Sequence, residues 1–139
     1  MAVNTRNLFI SHSWSHSDAY ERLCGLLNAA PYFSYRNYSV PIDDPIHNAT
    51  NQELLRSAIE RQMAPCQVVV IIAGVYATYS KWINEEIVLA QSGFAAPKPI
   101  LAVEPWASER TSAVVRNAAD LVVGWNTNSI VQGIRNLSP

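Results

Sequence analysis

Helical spacing puts one carboxylate where carboxylates are costly. Across residues 80–93, at about 100° per residue, Trp82, Ile83, Ile87, Leu89, Ala90 and Phe94 fall on one apolar arc. Asn84, Glu85 and Gln91 fall outside it, so Glu85 sits on the polar side without tension. Glu86 falls inside the arc, one turn after Trp82. An inward carboxylate must be paired or must line a cavity, because burying an uncompensated charge is unfavourable. Two readings follow. Either Glu86 lies at the margin of the arc or pairs with an arginine such as Arg116, or it stands in the crevice where the strand order of the sheet reverses.

Other groups suggest chemistry less strongly. Ser13 with His12 or His16 offers a nucleophile and a base, but neighbours on one turn rarely meet in hydrogen-bond geometry, and no G-x-S-x-G elbow is present. Asp43 and Asp44 could hold a metal or accept a phosphoryl group. A phosphoryl acceptor belongs at the end of the third strand, however, where Ala73-Gly74 stands. The absence of G-x-G-x-x-G and of a Walker A run argues against a Rossmann cofactor site and a P-loop. Cys24 and Cys66 are far apart in apolar contexts, with no C-x-x-C and no histidine cluster, and read as two buried, reduced thiols rather than metal ligands. Four Trp and six Tyr could stack on a planar ring, although Trp106 and Trp125 read better as core packing.

The elements that must position these groups alternate regularly. Strands are expected at residues 7–11, 33–40, 68–72, 100–103 and 121–123. Helices are expected at 17–30, from the Thr50-to-Glu53 capping box to near Pro65, at 80–93, at 112–118, and from a cap at Asn126 or Asn128 to the end. Val68-Val69-Val70-Ile71-Ile72 is uninterrupted and β-branched, as in a parallel strand covered on both faces. The order βαβαβαβαβα predicts an α/β, flavodoxin-like, doubly wound five-stranded parallel sheet in the order 2-1-3-4-5, with helices on both faces, and one domain over residues 1–139. Such sheets bind ligands at the carboxyl ends of the strands where the order reverses, here between the first and third strands. Residues 11–16, 74–80 and the helix opening at 81–86 meet at that point, and the loop 41–48 overhangs it.

Bulk composition sets the class. The chain has 139 residues, 49% hydrophobic and 15% charged, with net charge −1. That balance gives no electrostatic pull toward nucleic acid. A surface poor in charge hints at contact with another chain. The longest apolar run, residues 68–73, is too short to span a bilayer. The N-terminus is polar, so no signal peptide is expected and the cytoplasm is the default location.

Three stretches together resemble a known family. Phe9-Ile10-Ser11-His12-Ser13-Trp14, with Asp18 and Tyr20, is similar to the opening strand and loop of TIR-like domains. Arg36-Asn37-Tyr38-Ser39-Val40-Pro41, with Asp44-Pro45, resembles the second strand and loop of the prokaryotic TIR-like family that includes the Thoeris anti-phage sensor. Residues 80–86 resemble the TIR Ser-x-Trp-x-x-x-Glu stretch, and residues 119–126 fit that family's last strand.

The resemblance implies cleavage of NAD between nicotinamide and ribose, with Glu86 as the catalytic glutamate. Phe9, Ser11, His12 and Trp14 would line the nicotinamide side, Trp82 would support it, and Asp43 or Asp44 would sit in the loop beside it. NAD would be substrate rather than cofactor, and no metal would be needed. A cyclic or modified ADP-ribose would act as a defence signal to a downstream effector, and the active state would be self-associated. Two alternatives remain open at this stage: a non-catalytic TIR-like interaction module, and a flavodoxin-like nucleotide-binding protein.

Overall fold

The protein is described by a computed structural model over residues 5–11, 17–38, 52–74, 81–104 and 112–138. The elements are β1 (Thr5–Ile10), α1 (Ser17–Asn28), β2 (Ser34–Asn37), α2 (Gln52–Met63), β3 (Val68–Ile72), α3 (Lys81–Ser92), β4 (Ile100–Val103), α4 (Ala113–Ala118), β5 (Leu121–Val123) and α5 (Thr127–Leu137). All strand pairings are parallel, and the order is β2-β1-β3-β4-β5. The chain steps from β1 outward to β2, then back past β1 to β3. The order therefore reverses between β1 and β3, as the alternating pattern predicts.

Register assigns each strand residue to a layer. Phe9 pairs with Val69, Val69 with Ile100, and Ile71 with Ala102. Directly paired residues of a parallel sheet share a face, and successive residues alternate. Accordingly Phe9, Val69, Ile71, Ala73, Ile100 and Ala102 pack with Ile59 and Met63 of α2, Ile83 and Ile87 of α3, and Val115 of α4. Leu8, Ile10, Val70, Ile72, Leu101 and Val103 pack on the other face with Leu23 and Leu27 of α1 and Ile130 and Ile134 of α5. Every residue of β3 is buried, which is why its five side chains are all β-branched hydrocarbon. Each contributes about 1.5–3 kcal/mol relative to exposure.

Polar contacts fix the ends of the elements. Asn126 is the N-cap of α5, accepting from the Ser129 amide at 2.8 Å. Ser112 caps α4 instead of forming its first residue, its hydroxyl accepting from the Val115 amide at 3.4 Å. Asp120 Oδ2 accepts from the Ile100 amide at 2.8 Å, tying the start of β4 to β5. Lys98 Nζ donates to the carbonyls of Ala64 and Cys66 and lies over the Phe94 ring, clamping the entry to β4 against the α2–β3 turn. Arg6 Nε donates to Ser138 Oγ at 2.8 Å, holding the end of α5 to β1.

Several boundaries differ from the sequence pattern. β1 begins at Thr5 because Thr5 and Arg6 pair with Ser34 and Tyr35, a backbone ladder their polar side chains do not advertise. β2 is confined to Ser34–Asn37, a half-exposed edge strand with β1 as its one neighbour. Helix α1 ends at Asn28, two residues early, in a turn where Tyr32 adopts φ 58°. Thr50 and Asn51 of the expected capping box lie outside the described residues.

The cysteines are free, but only Cys66 is buried, while Cys24 is half-buried where α1 overlooks the edge strand β2. Burial raises the Cys24 thiol above its ordinary range, partly offset by hydrogen bonds with Tyr20 and Tyr35. Burial pushes the Cys66 thiol up to about 12, with Lys98 acting in the opposite direction. Among the described residues, no helix is long and apolar enough to cross a membrane.

Candidate functional site

The site is built from the carboxyl edge of the sheet upward. The Ser11 amide donates to the Val70 carbonyl at 2.8 Å, extending the β1 ladder past Ile10. Ser11 therefore keeps the face of Phe9, level with Ile71 and Ala102. Its residue is only 4% exposed, and its hydroxyl has no hydrogen-bond partner among the described residues. One layer higher, Ala73 donates its amide to Val103 at 2.8 Å, and Glu104 donates its own to Val123 at 2.8 Å. Because Ile72 pairs with Val103, Glu104 follows beside Ala73, on the face of Ile100 and Ala102. Glu104 is half-buried.

Helix α3 brings a second group to this face. Glu86 is 1% exposed, between Ile83 and Ile87, which pack in the same cluster as Ala73. A marginal position on the apolar arc is thus ruled out: Glu86 is inside. Glu85 differs from expectation. It is half-buried, and its Oε2 is a buried atom. Helix α3 contacts α2, and Gln91 donates to the Ala118 carbonyl of α4 at 3.5 Å. A single-helix projection gives no sign of the burial at Glu85.

Ser112 closes the layer. It is 1% exposed, and its amide donates to the Ala73 carbonyl at 2.7 Å, seating the start of α4 on the end of β3. The buried polar residues among those described are Ser11, Glu86, Ser112 and Ser138. Ser138 is the anchor for Arg6. The other three lie in the layer between the sheet and α2, α3 and α4, with Ser11 and Ser112 at the strands' carboxyl edge. Polar groups are buried where they are satisfied or where they serve a ligand, and Ser11 and Ser112 lie at the edge that the strand order singles out.

Not every expected site residue can be placed. Phe9 is 1% exposed and packs in the core beneath α2 and α3, one alternation below Ser11. Trp82 is in the first turn of α3, one turn before Glu86, and its side chain lies outside the described residues. His12, Trp14, Asp43 and Asp44 also lie outside them. The structure thus brings Phe9, Ser11 and Glu86 to one layer. It adds Glu104 and Ser112, which sequence reasoning passed over. The one sequence signal for Glu104 was its place directly after the apolar run 100–103, which any strand end shows.

A concavity of about 580 Å³ lies elsewhere, along α5, bounded by Leu121, Val123, Val131, Gly133 and Arg135. Leu121, Val123 and Val131 belong to the opposite face of the sheet. Val131 and Gly133 flank α5 on different sides, so the lining wraps round a helix. The carboxyl edge remains the better site, because polar burial and strand order agree there.

Residues 9–110 match the family described as Thoeris protein ThsB, TIR-like domain. The chain belongs to this family. The matched span opens at Phe9 in β1, runs past β4, and contains Ser11, Glu86 and Glu104. Membership makes the chain a TIR-family protein of the Thoeris anti-phage defence, and the five-stranded parallel sheet is the TIR-like, flavodoxin-like α/β fold. No curated protein matches the chain.

Proposed function

We propose that this TIR-like protein cleaves NAD at the bond between nicotinamide and ribose, with Glu86 as the catalytic carboxylate. The observation that carries the reading is the burial of Glu86 on the inward face of α3, in the layer that leads to the strand-order reversal of a ThsB-type TIR-like domain. Nicotinamide is bound to the ribose through a positively charged ring nitrogen. When the C1′–N bond breaks, its electron pair neutralises that nitrogen, and no general acid is required. The charge moves to the ribose as an oxocarbenium-like centre, as in other glycosidic cleavages.

A carboxylate held near that centre stabilises it more than it stabilises the substrate. At 4 Å and an effective dielectric of 20 the attraction is about 4 kcal/mol, or about a thousandfold in rate. The surrounding Ile83 and Ile87 keep the carboxylate from being screened by water. Ser11 would hydrogen-bond the substrate through its buried hydroxyl, with Phe9 packed behind it. His12, Trp14, Trp82, Asp43 and Asp44 are proposed to complete the nicotinamide side.

Capture of the ribosyl centre by water gives ADP-ribose, and capture by the substrate's own adenine gives a cyclic isomer. Either product, or a conjugate, would serve as the signal to a downstream effector. The reading places the protein in the cytoplasm, where Cys24 and Cys66 stay reduced, and makes self-association part of the active state. Incubation of the assembled or phage-triggered protein with NAD tests it. Nicotinamide should be released, and Glu86→Gln should abolish release. Activity retained in that variant would overturn the assignment of the site.

One observation favours a second reading, a non-catalytic interaction module. Only 15% of the chain is charged, and Val88 on α3 and Val114 on α4 are exposed apolar side chains. Intact partner binding without NAD consumption under assembling conditions would select it.

A further inference from the structure

We propose that Tyr32 is a docking knob for a second copy of this chain, and that the concavity along α5 is the hole it enters, each copy inserting its tyrosine into the other. The inference gives a surface to the self-association proposed above and does not depend on NAD cleavage. It starts from a residue that the free chain does not explain. Tyr32 is 83% exposed, and at φ 58° it is the one non-glycine residue with positive φ among those described. A lone exposed aromatic is ordinary on a protein surface. An aromatic in the left-handed region is not, because its Cβ crowds the backbone there, and glycine or asparagine fits with less strain. A ring left in water returns little of that cost within the monomer. Such strain persists where the surroundings enforce it, and here they do. Arg135 Nη2 donates to the Tyr32 carbonyl at 3.1 Å, with its guanidinium 5.7 Å from the centre of the Phe33 ring. The Tyr35 hydroxyl donates to Asn28 Oδ1 at 2.9 Å. The Thr127 hydroxyl donates to the Leu26 carbonyl at 2.8 Å, tying α5 to α1 just before the turn. Tyr32 is thus presented on fixed backbone, which lowers the ordering cost of docking.

The hole lies beside the knob. Pro31, which precedes Tyr32, and Arg135, which holds its carbonyl, both line the concavity of about 580 Å³. Its other walls join apolar Leu121 and Val131 to the amides of Gln132 and Asn136. Apolar walls with amides among them suit a phenol, whose ring is apolar and whose hydroxyl needs a partner. A knob and a hole on one patch can be exchanged reciprocally across a two-fold axis, which closes the assembly at two copies. Charge agrees with this occupant. Residues 121–134 carry no charged side chain, although 15% of the chain is charged. Across a two-fold axis a surface meets its own copy, so a charge near the axis would face its like. A neutral stretch avoids that repulsion and offers nothing to a partner recognised by charge.

The test is sedimentation velocity over a concentration series for wild type, Tyr32→Asn, Gln132→Lys and an equimolar mixture of the two variants, with Tm read by circular dichroism at dilute concentration. Wild type should pass from monomer to dimer as concentration rises. Tyr32→Asn should raise the dimer Kd at least about a hundredfold, because each of two symmetric contacts loses an aromatic anchor worth at least about tenfold. Its dilute Tm should equal or exceed that of wild type, since asparagine tolerates the left-handed backbone. Gln132→Lys, at an exposed position of α5, puts a charged chain into each hole and should weaken the dimer as well. In the mixture, Tyr32 of the lysine variant meets the open hole of the asparagine variant, so the mixture should associate more tightly than either component. A Tm lowered by about 3 °C or more in Tyr32→Asn overturns the inference, since Tyr32 would then support its own fold. So does a mixture no tighter than its components, and so does wild type growing past the dimer. Dimerisation unchanged in both variants overturns this surface and leaves self-association standing, whereas a wild type that stays monomeric removes both. Nicotinamide release from the same samples decides NAD cleavage separately.

Discussion

Ser11→Ala separates stability from function at this site. The Ser11 hydroxyl is buried at the end of β1 without a hydrogen-bond partner among the described residues. A buried hydroxyl left unsatisfied costs about 1–3 kcal/mol. Alanine removes that oxygen and leaves a gap of only one small atom, so part of the gain is offset by lost packing. The net expectation is a variant about 1 kcal/mol more stable than wild type, or about 3 °C in Tm for a domain of this size. Urea denaturation followed by circular dichroism measures it, with an unchanged m-value showing that the unfolded state is the same. The same variant should bind NAD more weakly, because a hydrogen bond of about 0.5–1.5 kcal/mol is lost; KM should rise about two- to tenfold. A Ser11→Ala protein destabilised by 1 kcal/mol or more would refute the reasoning, since the hydroxyl would then be satisfied in the free protein and not held for a ligand.

Three further outcomes follow from the packing. Asp120→Ala should cost about 1–3 kcal/mol in urea denaturation, because the buried Ile100 amide loses the acceptor it holds at 2.8 Å; Asp120→Asn should recover most of that loss. Gly133→Ala should be destabilising by about 1 kcal/mol: the added Cβ would stand 3.0 Å from Leu101 and 3.3 Å from Leu121 and Val123, and overpacking of about 1–3 kcal/mol outweighs the helix-propensity gain of about 1 kcal/mol. The Cys66 thiol keeps its proton to about pH 12 in the folded protein, against 9.0 for an ordinary thiol. The folded state therefore binds more protons over that interval. The contribution of Cys66 is full below pH 9 and falls as pH rises toward 12. Denaturant midpoints at pH 8 and pH 10 should differ less in Cys66→Ala than in wild type.

The fold was legible because β3 and the alternating elements leave little choice. A run such as Val68 to Ile72 is stable only between two helical layers, and β4 and β5 fall on their expected residues. Its edges were less legible. Thr5 and Arg6 join β1 through backbone pairing with β2, and such pairing is indifferent to the polar side chains that hide it. Helix phase was sufficient for Glu86, since the inward arc of one helix is a property of that helix. It was insufficient for Glu85, whose Oε2 is buried although its helix phase is polar. Glu104 was passed over for a related reason. A glutamate after an apolar run looks like an ordinary strand end until the register places it beside Ala73, on the face that Glu86 overlies.

The account stands or falls on nicotinamide release from NAD by wild type and Glu86→Gln, both shown to be folded and equally assembled. Wild type is expected to release nicotinamide, and the amide variant, which keeps the shape of Glu86 and removes its charge, to release none above background. Equal release from the two proteins would contradict the role given to Glu86, and release from neither would contradict NAD cleavage itself.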